Sequence, residues 1–103
     1  MPQFAVYRNP GRNEHIPFVV QIQSTRLDRS VGRVVMPLVR RDHAAPPDHA
    51  LTPHLTVRGE DVYAKPLDLA TVPTARLKDI LEILPDRDQD RIIQAIDETV
   101  SRA

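Results

Sequence analysis

This 103-residue chain has no cysteine, only three glycines and only four aromatic residues. Each scarcity removes a class of function. Without cysteine there is no disulfide framework, no thiolate nucleophile and no thiolate metal ligand. Gly11, Gly32 and Gly59 stand alone, so no glycine-rich loop exists to cradle a phosphate, and no serine sits in a nucleophile elbow. Phe4 and Phe18 read as core, which leaves too few aromatics for a base-stacking platform, and direct nucleic-acid binding is not expected. No apolar run approaches the roughly 20 residues of a membrane span, and the N-terminus lacks a leader-like apolar stretch. The expectation is a soluble, cytoplasmic protein with no membrane association.

The length suits one domain over residues 1–103 with a single modest core. Formal charge is zero, but it is unevenly spread. Up to Arg41 there are seven arginines against Glu14 and Asp28; from Asp42 onward seven basic residues face twelve acidic ones. Such a split can steer a partner or simply help solubility. Ten prolines limit helix and favour short strands with kinked connections.

The hydrophobic pattern places those strands. Gln3 to Tyr7 alternates with Phe4 and Val6 on one face, and ends at Pro10-Gly11. Pro17 to Ser24 carries Phe18, Val20 and Ile22 on one face and Gln21 and Gln23 on the other. Gly32 to Leu38 is a third strand, with Pro37 marking an edge or a bulge. Arg40 to Pro53 has no period and reads as a mobile surface loop, as does the turn Asn9 to Glu14. Leu55 and Val57, a turn at Arg58 to Asp61, and Val62 and Ala64 form a hairpin. Leu67, Leu69 and Val72 suggest another short strand, while Leu77, Ile80, Leu81 and Leu84 fit either a helix or a shorter segment. After Pro85, Asp86 and Gln89 form a capping-box pattern. Asp86, Asp88 and Asp90 suit the positive end of a helix dipole. Ile92, Ile93, Ile96 and Val100 supply an apolar stripe for burial against a sheet. The architecture predicted is mainly β: a small, partly open antiparallel barrel with a C-terminal helix.

Little of this carries chemistry. Asp86 to Asp90 imitates the first ligands of a calcium loop, but Arg91 stands where that loop needs glycine. His43 and His49, with Asp42 and Asp48 beside them, lack a fixed scaffold for a metal and read as solvated loop residues. His54 reads as structural or exposed. Arg26, Arg29 and Arg33 flank a turn and Arg40 and Arg41 open the loop, a pattern that by default is a solvated face. From residues alone this is a small binding domain without catalytic machinery, a cofactor or a metal.

Order and spacing add more. The "QF" and "VY" opening, "FVVQIQS", "GRVVMPL", "LTPHLTVRGEDVY", "DLATVP" and a terminal "QDRIIQAID" together resemble the CcdB family of toxins from type II toxin–antitoxin modules. The resemblance covers nearly the whole chain. It implies an SH3-like antiparallel barrel with a small extra sheet and a C-terminal helix, paired as a symmetric homodimer. It also implies a non-enzymatic mechanism. Such toxins bind the A subunit of DNA gyrase, trap it on cleaved DNA, and are neutralised by the flexible C-terminal segment of a cognate CcdA-like antitoxin. In the family the helix ends in an aromatic, a glycine and an aliphatic that meet gyrase; here those positions hold Ser101, Arg102 and Ala103. An acidic antitoxin tail would suit Arg8, Arg12, Arg40 and Arg41. The altered tip leaves a second reading, a non-toxic or retargeted CcdB-like binding protein. A third, a MazF-like endoribonuclease on the same barrel, lacks the expected opening strand pattern.

Overall fold

A computed structural model describes residues 2–23 and 32–100. Seven strands, β1 (Ala5–Arg8), β2 (Phe18–Gln21), β3 (Gly32–Arg40), β4 (His54–Val57), β5 (Glu60–Ala64), β6 (Ala70–Pro73) and β7 (Glu82–Ile83), precede one helix, α1 (Asp86–Val100). All pairings are antiparallel, in the order β4-β5-β3-β2-β1-β7, with β6 pairing β3 off that path. The result is a curled half-barrel with a C-terminal helix, the mainly β class expected. Its two edges approach each other at the β4–β5 turn, where the Arg58 guanidinium donates to the Leu81 carbonyl just before β7 (3.4 Å).

That turn has two residues, Arg58 and Gly59, at φ 52° and 79°. Paired positive φ angles give a type I′ turn, whose twist matches the strands it joins. Gly32 is needed for a different reason: a Cβ there would lie 2.7 Å from Thr71 Cγ2 across the β3–β6 pair.

The sheet buries both faces. Phe18, Val20, Met36, Leu38, Leu55, Val57, Val62 and Ala64 line the concave side, closed by Phe4, Leu84 and Ile92. Ala5, Tyr7, Val19 and Val35 lie on the other face under Leu77 and Val72. The alternation read in β2 therefore does not separate inside from outside, since Gln21 and Gln23 are buried as well. Arg33, expected on a solvated face, is also buried (3% exposed) and donates to the Gly32 carbonyl. Its place opposite Val72, under β6, was invisible without knowing that β6 returns to β3. Arg26 and Arg29 lie outside the described residues.

Several sequence expectations need correction. Pro37 is neither at an edge nor in a bulge; β3 is flanked by β2 on one side and by β6 and then β5 on the other. Pro37 sits where β6 gives way to β5, and its carbonyl accepts from Lys65 N–H. In a strand a residue's amide and carbonyl point the same way, so the missing N–H faces that changeover and costs no ladder bond. Phe4 precedes β1 at φ 65°, a turn that sends its ring into the core. Leu67 and Leu69 are in and after a 3-10 turn (Pro66–Asp68), because Pro66 starts a turn and β6 begins only at Ala70. The 75–84 segment is not an α-helix: Thr74–Arg76 forms a 3-10 turn, 77–81 is irregular with Leu77 buried, and β7 follows at Glu82–Ile83.

The helix is rotated from its expected face. Ile92 and Ala95 are fully buried and Ile96 packs against the core, whereas Ile93 and Val100 are 45% and 72% exposed. Asp86 is the first helical residue and not its cap; the Pro85 carbonyl accepts from the Asp88 and Gln89 amides. The Gln89 side chain instead reaches back to the Leu84 carbonyl (2.7 Å).

Candidate functional site

The C-terminal helix sets the first candidate surface. Its last turn carries Asp97 and Glu98 and no basic residue. Acids at the negative end of a helix dipole weaken the helix slightly, so this end is not tuned for helix stability. Thr99 Oγ1 donates back to the Ala95 carbonyl (2.7 Å). Beside this turn lies an apolar groove of about 400 Å³, between Leu51, Tyr63, Pro66, Leu67 and Thr99. Leu67 is 79% exposed at its rim. Ser101, Arg102 and Ala103 lie outside the described residues. Val100, the last helical residue described, is exposed.

The four arginines expected to grip an acidic peptide do not form one patch. Arg40, at the end of β3, pairs with Glu60 (3.1 Å) and donates to the Glu14 carbonyl. Arg41 pairs with Asp61 (3.0 Å) and places its other nitrogen 2.9 Å from His54 Nδ1. Both are thus committed to the β4–β5 hairpin. Arg12 is exposed on the β1–β2 turn. Arg8, at the end of β1, is exposed and lines a separate cleft of about 360 Å³ with Arg76 and Lys78.

The proline-rich loop is pinned by residues that sequence patterns did not single out. His54 Nε2 lies 2.8 Å from the Pro46 carbonyl. A guanidinium only donates, so Nδ1 accepts from Arg41 and the imidazole is the neutral Nε2–H tautomer, donating to Pro46. Arg91, from α1, donates to the His54 carbonyl and pairs with Asp48. These contacts also occupy main-chain groups of edge strand β4, which blunts it as a template for strand addition. The one legible signal for Arg91 was negative: it breaks the calcium-loop pattern.

The Asp48 carboxyl is held below the usual aspartate range, first by the hydrogen bond from the His54 amide, with the Arg91 charge assisting against partial burial. A depressed folded-state value means stability present above the unfolded value, near pH 4, and lost as pH falls through the folded one. Asp48→Ala is therefore expected to be less stable than wild type at neutral pH, with the difference shrinking as pH drops below about 4. Urea midpoints measured between neutral and acid pH check this; a constant gap would remove Asp48 as its source.

His43 is exposed, and His49 Nδ1 accepts from the Leu51 amide (3.1 Å). Among the described residues no cluster of histidines and carboxylates could hold a metal ion, and no helix is long and apolar enough to cross a membrane.

A curled antiparallel half-barrel with a terminal helix against its concave core defines the class: a small, mainly β fold with one C-terminal helix. Residues 3–101 match the family model described as CcdB protein. The chain belongs to the CcdB family, a family of toxins from toxin–antitoxin modules. No curated protein matches the sequence.

Proposed function

We propose that this protein is the toxin of a type II toxin–antitoxin pair, that it acts by binding the A subunit of DNA gyrase, and that a CcdA-like antitoxin neutralises it. The observation that carries this is the family match over residues 3–101, from β1 through the whole of α1. On this reading the toxin stabilises an existing enzyme–DNA intermediate and performs no covalent chemistry of its own. On the same reading, Ser101, Arg102 and Ala103 at the end of the sequence would meet gyrase. Inducing the chain alone in a gyrase-sensitive bacterium is expected to arrest growth and to yield cleaved DNA covalently linked to gyrase. Growth arrest with RNA cleavage and intact DNA would point instead to a ribonuclease.

A second reading is favoured by one feature: the tip lacks the aromatic side chain on which such an interface would be centred. A retargeted or non-toxic protein would keep antitoxin binding and give no gyrase cleavage complex in the same experiment.

The working form is a symmetric homodimer. The exposed apolar side chains Leu51, Leu67, Leu69 and Val100 support this, since a lone barrel of this size leaves them in water. Sedimentation equilibrium at micromolar concentration is expected to give twice the 11.7 kDa chain mass; a monomer at high concentration would refute it.

A further inference from the structure

His54 ties the loop between β3 and β4 to the sheet through a pair of contacts that only a neutral ring can make together. Its Nε2–H donates to the Pro46 carbonyl (2.8 Å), and its Nδ1 accepts from Arg41 (2.9 Å). The ring is half-buried and the Arg41 side chain is 27% exposed, so this is not a solvated surface pair. Asp61 holds Arg41 twice: its carbonyl accepts from the Arg41 amide and its carboxylate pairs with the guanidinium. Among the described residues the buried Arg41 Nε–H has no acceptor. Losing Nδ1 would leave a second donor of the same group unmet.

Charge around the ring is balanced. Arg41, after β3, and Arg91, from α1, are met by Asp61 of β5 and Asp48 of the loop. Tyr63 lies opposite His54 across the β4–β5 pair. Arg91 donates to the His54 carbonyl, and Asp48 accepts from the His54 amide. With two cations and two carboxylates close by, direction and not net charge decides what a second proton does. A protonated imidazole carries N–H on both nitrogens, and a guanidinium only donates. Nδ1–H then meets Arg41 donor against donor and cation against cation. Any turn of the ring that relieves this also takes Nε2–H away from the Pro46 carbonyl.

The loop it holds is part of a surface. Pro46, Leu51 and Thr52 line the apolar groove beside the last turn of α1, together with Pro66, Leu67 and Thr99. We infer that His54 is a proton-operated latch on this groove: the neutral ring keeps the loop in place, and protonation frees it at Pro46 and opens that side of the groove. Imidazoles change charge roughly between pH 5 and 8, well above the acid range in which Asp48 acts. A partner seated in the groove therefore meets a different surface after mild acidification. The latch needs no gyrase, and its test reads none.

The test uses the full 15N-labelled chain, with backbone relaxation and histidine ring shifts followed from about pH 8 to about pH 5. Order parameters of the Ala44, Ala45, Ala50 and Leu51 amides are expected to fall from about 0.85 to below about 0.6. The midpoint should match that of the His54 ring, with the β2 amides unchanged. His54→Gln keeps a donor for Pro46 and does not titrate, so its loop should stay ordered throughout. His49, whose Nδ1 accepts from the Leu51 amide, is a second imidazole in the loop, and His49→Gln should leave the response intact. Arg41→Gln removes the opposed cation and offers an acceptor to Nδ1–H; it should abolish the response, and it serves if His54→Gln does not fold. A loop equally ordered at both ends of the range, a response that persists in His54→Gln, or one that follows the His49 ring would each overturn the inference. So would an undiminished response in Arg41→Gln.

Discussion

Changing Ser101→Trp, Arg102→Gly and Ala103→Ile together is expected to raise gyrase cleavage-complex yield at limiting toxin. Apparent affinity should rise roughly 30-fold, since a buried tryptophan anchor contributes ~2 kcal/mol or more at the centre of an interface. The platform for that anchor is present: Ile92, Ala95 and Ile96 hold the middle of α1 on the core. What the wild-type sequence lacks is apolar area at the end. Arg102 adds a further penalty wherever gyrase offers it no carboxylate, because an unpaired buried charge costs several kcal/mol. Cleavage assays with purified gyrase, wild type against triple variant, decide it. An equal or lower yield would mean that this protein's target surface is not the helix tip.

The second large effect tests how the helix is seated. Ile92→Ala is expected to destabilise the fold by about 2–5 kcal/mol, the range for emptying a fully buried aliphatic site. That is a substantial fraction of the 5–15 kcal/mol typical of a domain. Ile93→Ala, its exposed neighbour, should cost about 0.5 kcal/mol or less. Urea denaturation of both variants measures the contrast. Equal losses would show that α1 buries the wider stripe suggested by spacing alone. The difference between two adjacent isoleucines also bears on the first experiment, because the rotation of α1 sets the direction in which its end projects.

Much of the architecture was legible because strand and turn signals are local. The hairpin announced itself by a glycine between alternating apolar residues, and the half-barrel follows from short strands cut by prolines. The turn expected over Arg58 to Asp61 is only Arg58-Gly59, because Glu60 and Asp61 already belong to β5. The errors share a cause. Leu77, Ile80, Leu81 and Leu84 satisfy helical spacing, but the segment is not an α-helix because Leu77 covers Tyr7 and Val19 while Leu84 enters the opposite core. One chain segment serving two faces of a sheet cannot be recognised from its own period. Arg33 was misread for the same reason: its burial depends on β6, some 40 residues later.

The partner surfaces divide along the same line. Arg8, Arg12, Arg40 and Arg41 look equivalent in sequence. Only tertiary pairing commits Arg40 and Arg41 to Glu60 and Asp61 and leaves Arg8 to join Arg76 and Lys78. Arg91 and Asp48, 43 residues apart, meet only because α1 returns across the edge of β4.

By itself the sequence determined the family, the mainly β class, the terminal helix and the absence of thiol or phosphate-loop chemistry, since these rest on residue order and local stereochemistry. Tertiary structure alone decided which isoleucines α1 buries and which arginines are neutralised. Those properties depend on which distant residues meet across the curled sheet, and the energies of burial and charge pairing belong to that meeting and not to either residue alone.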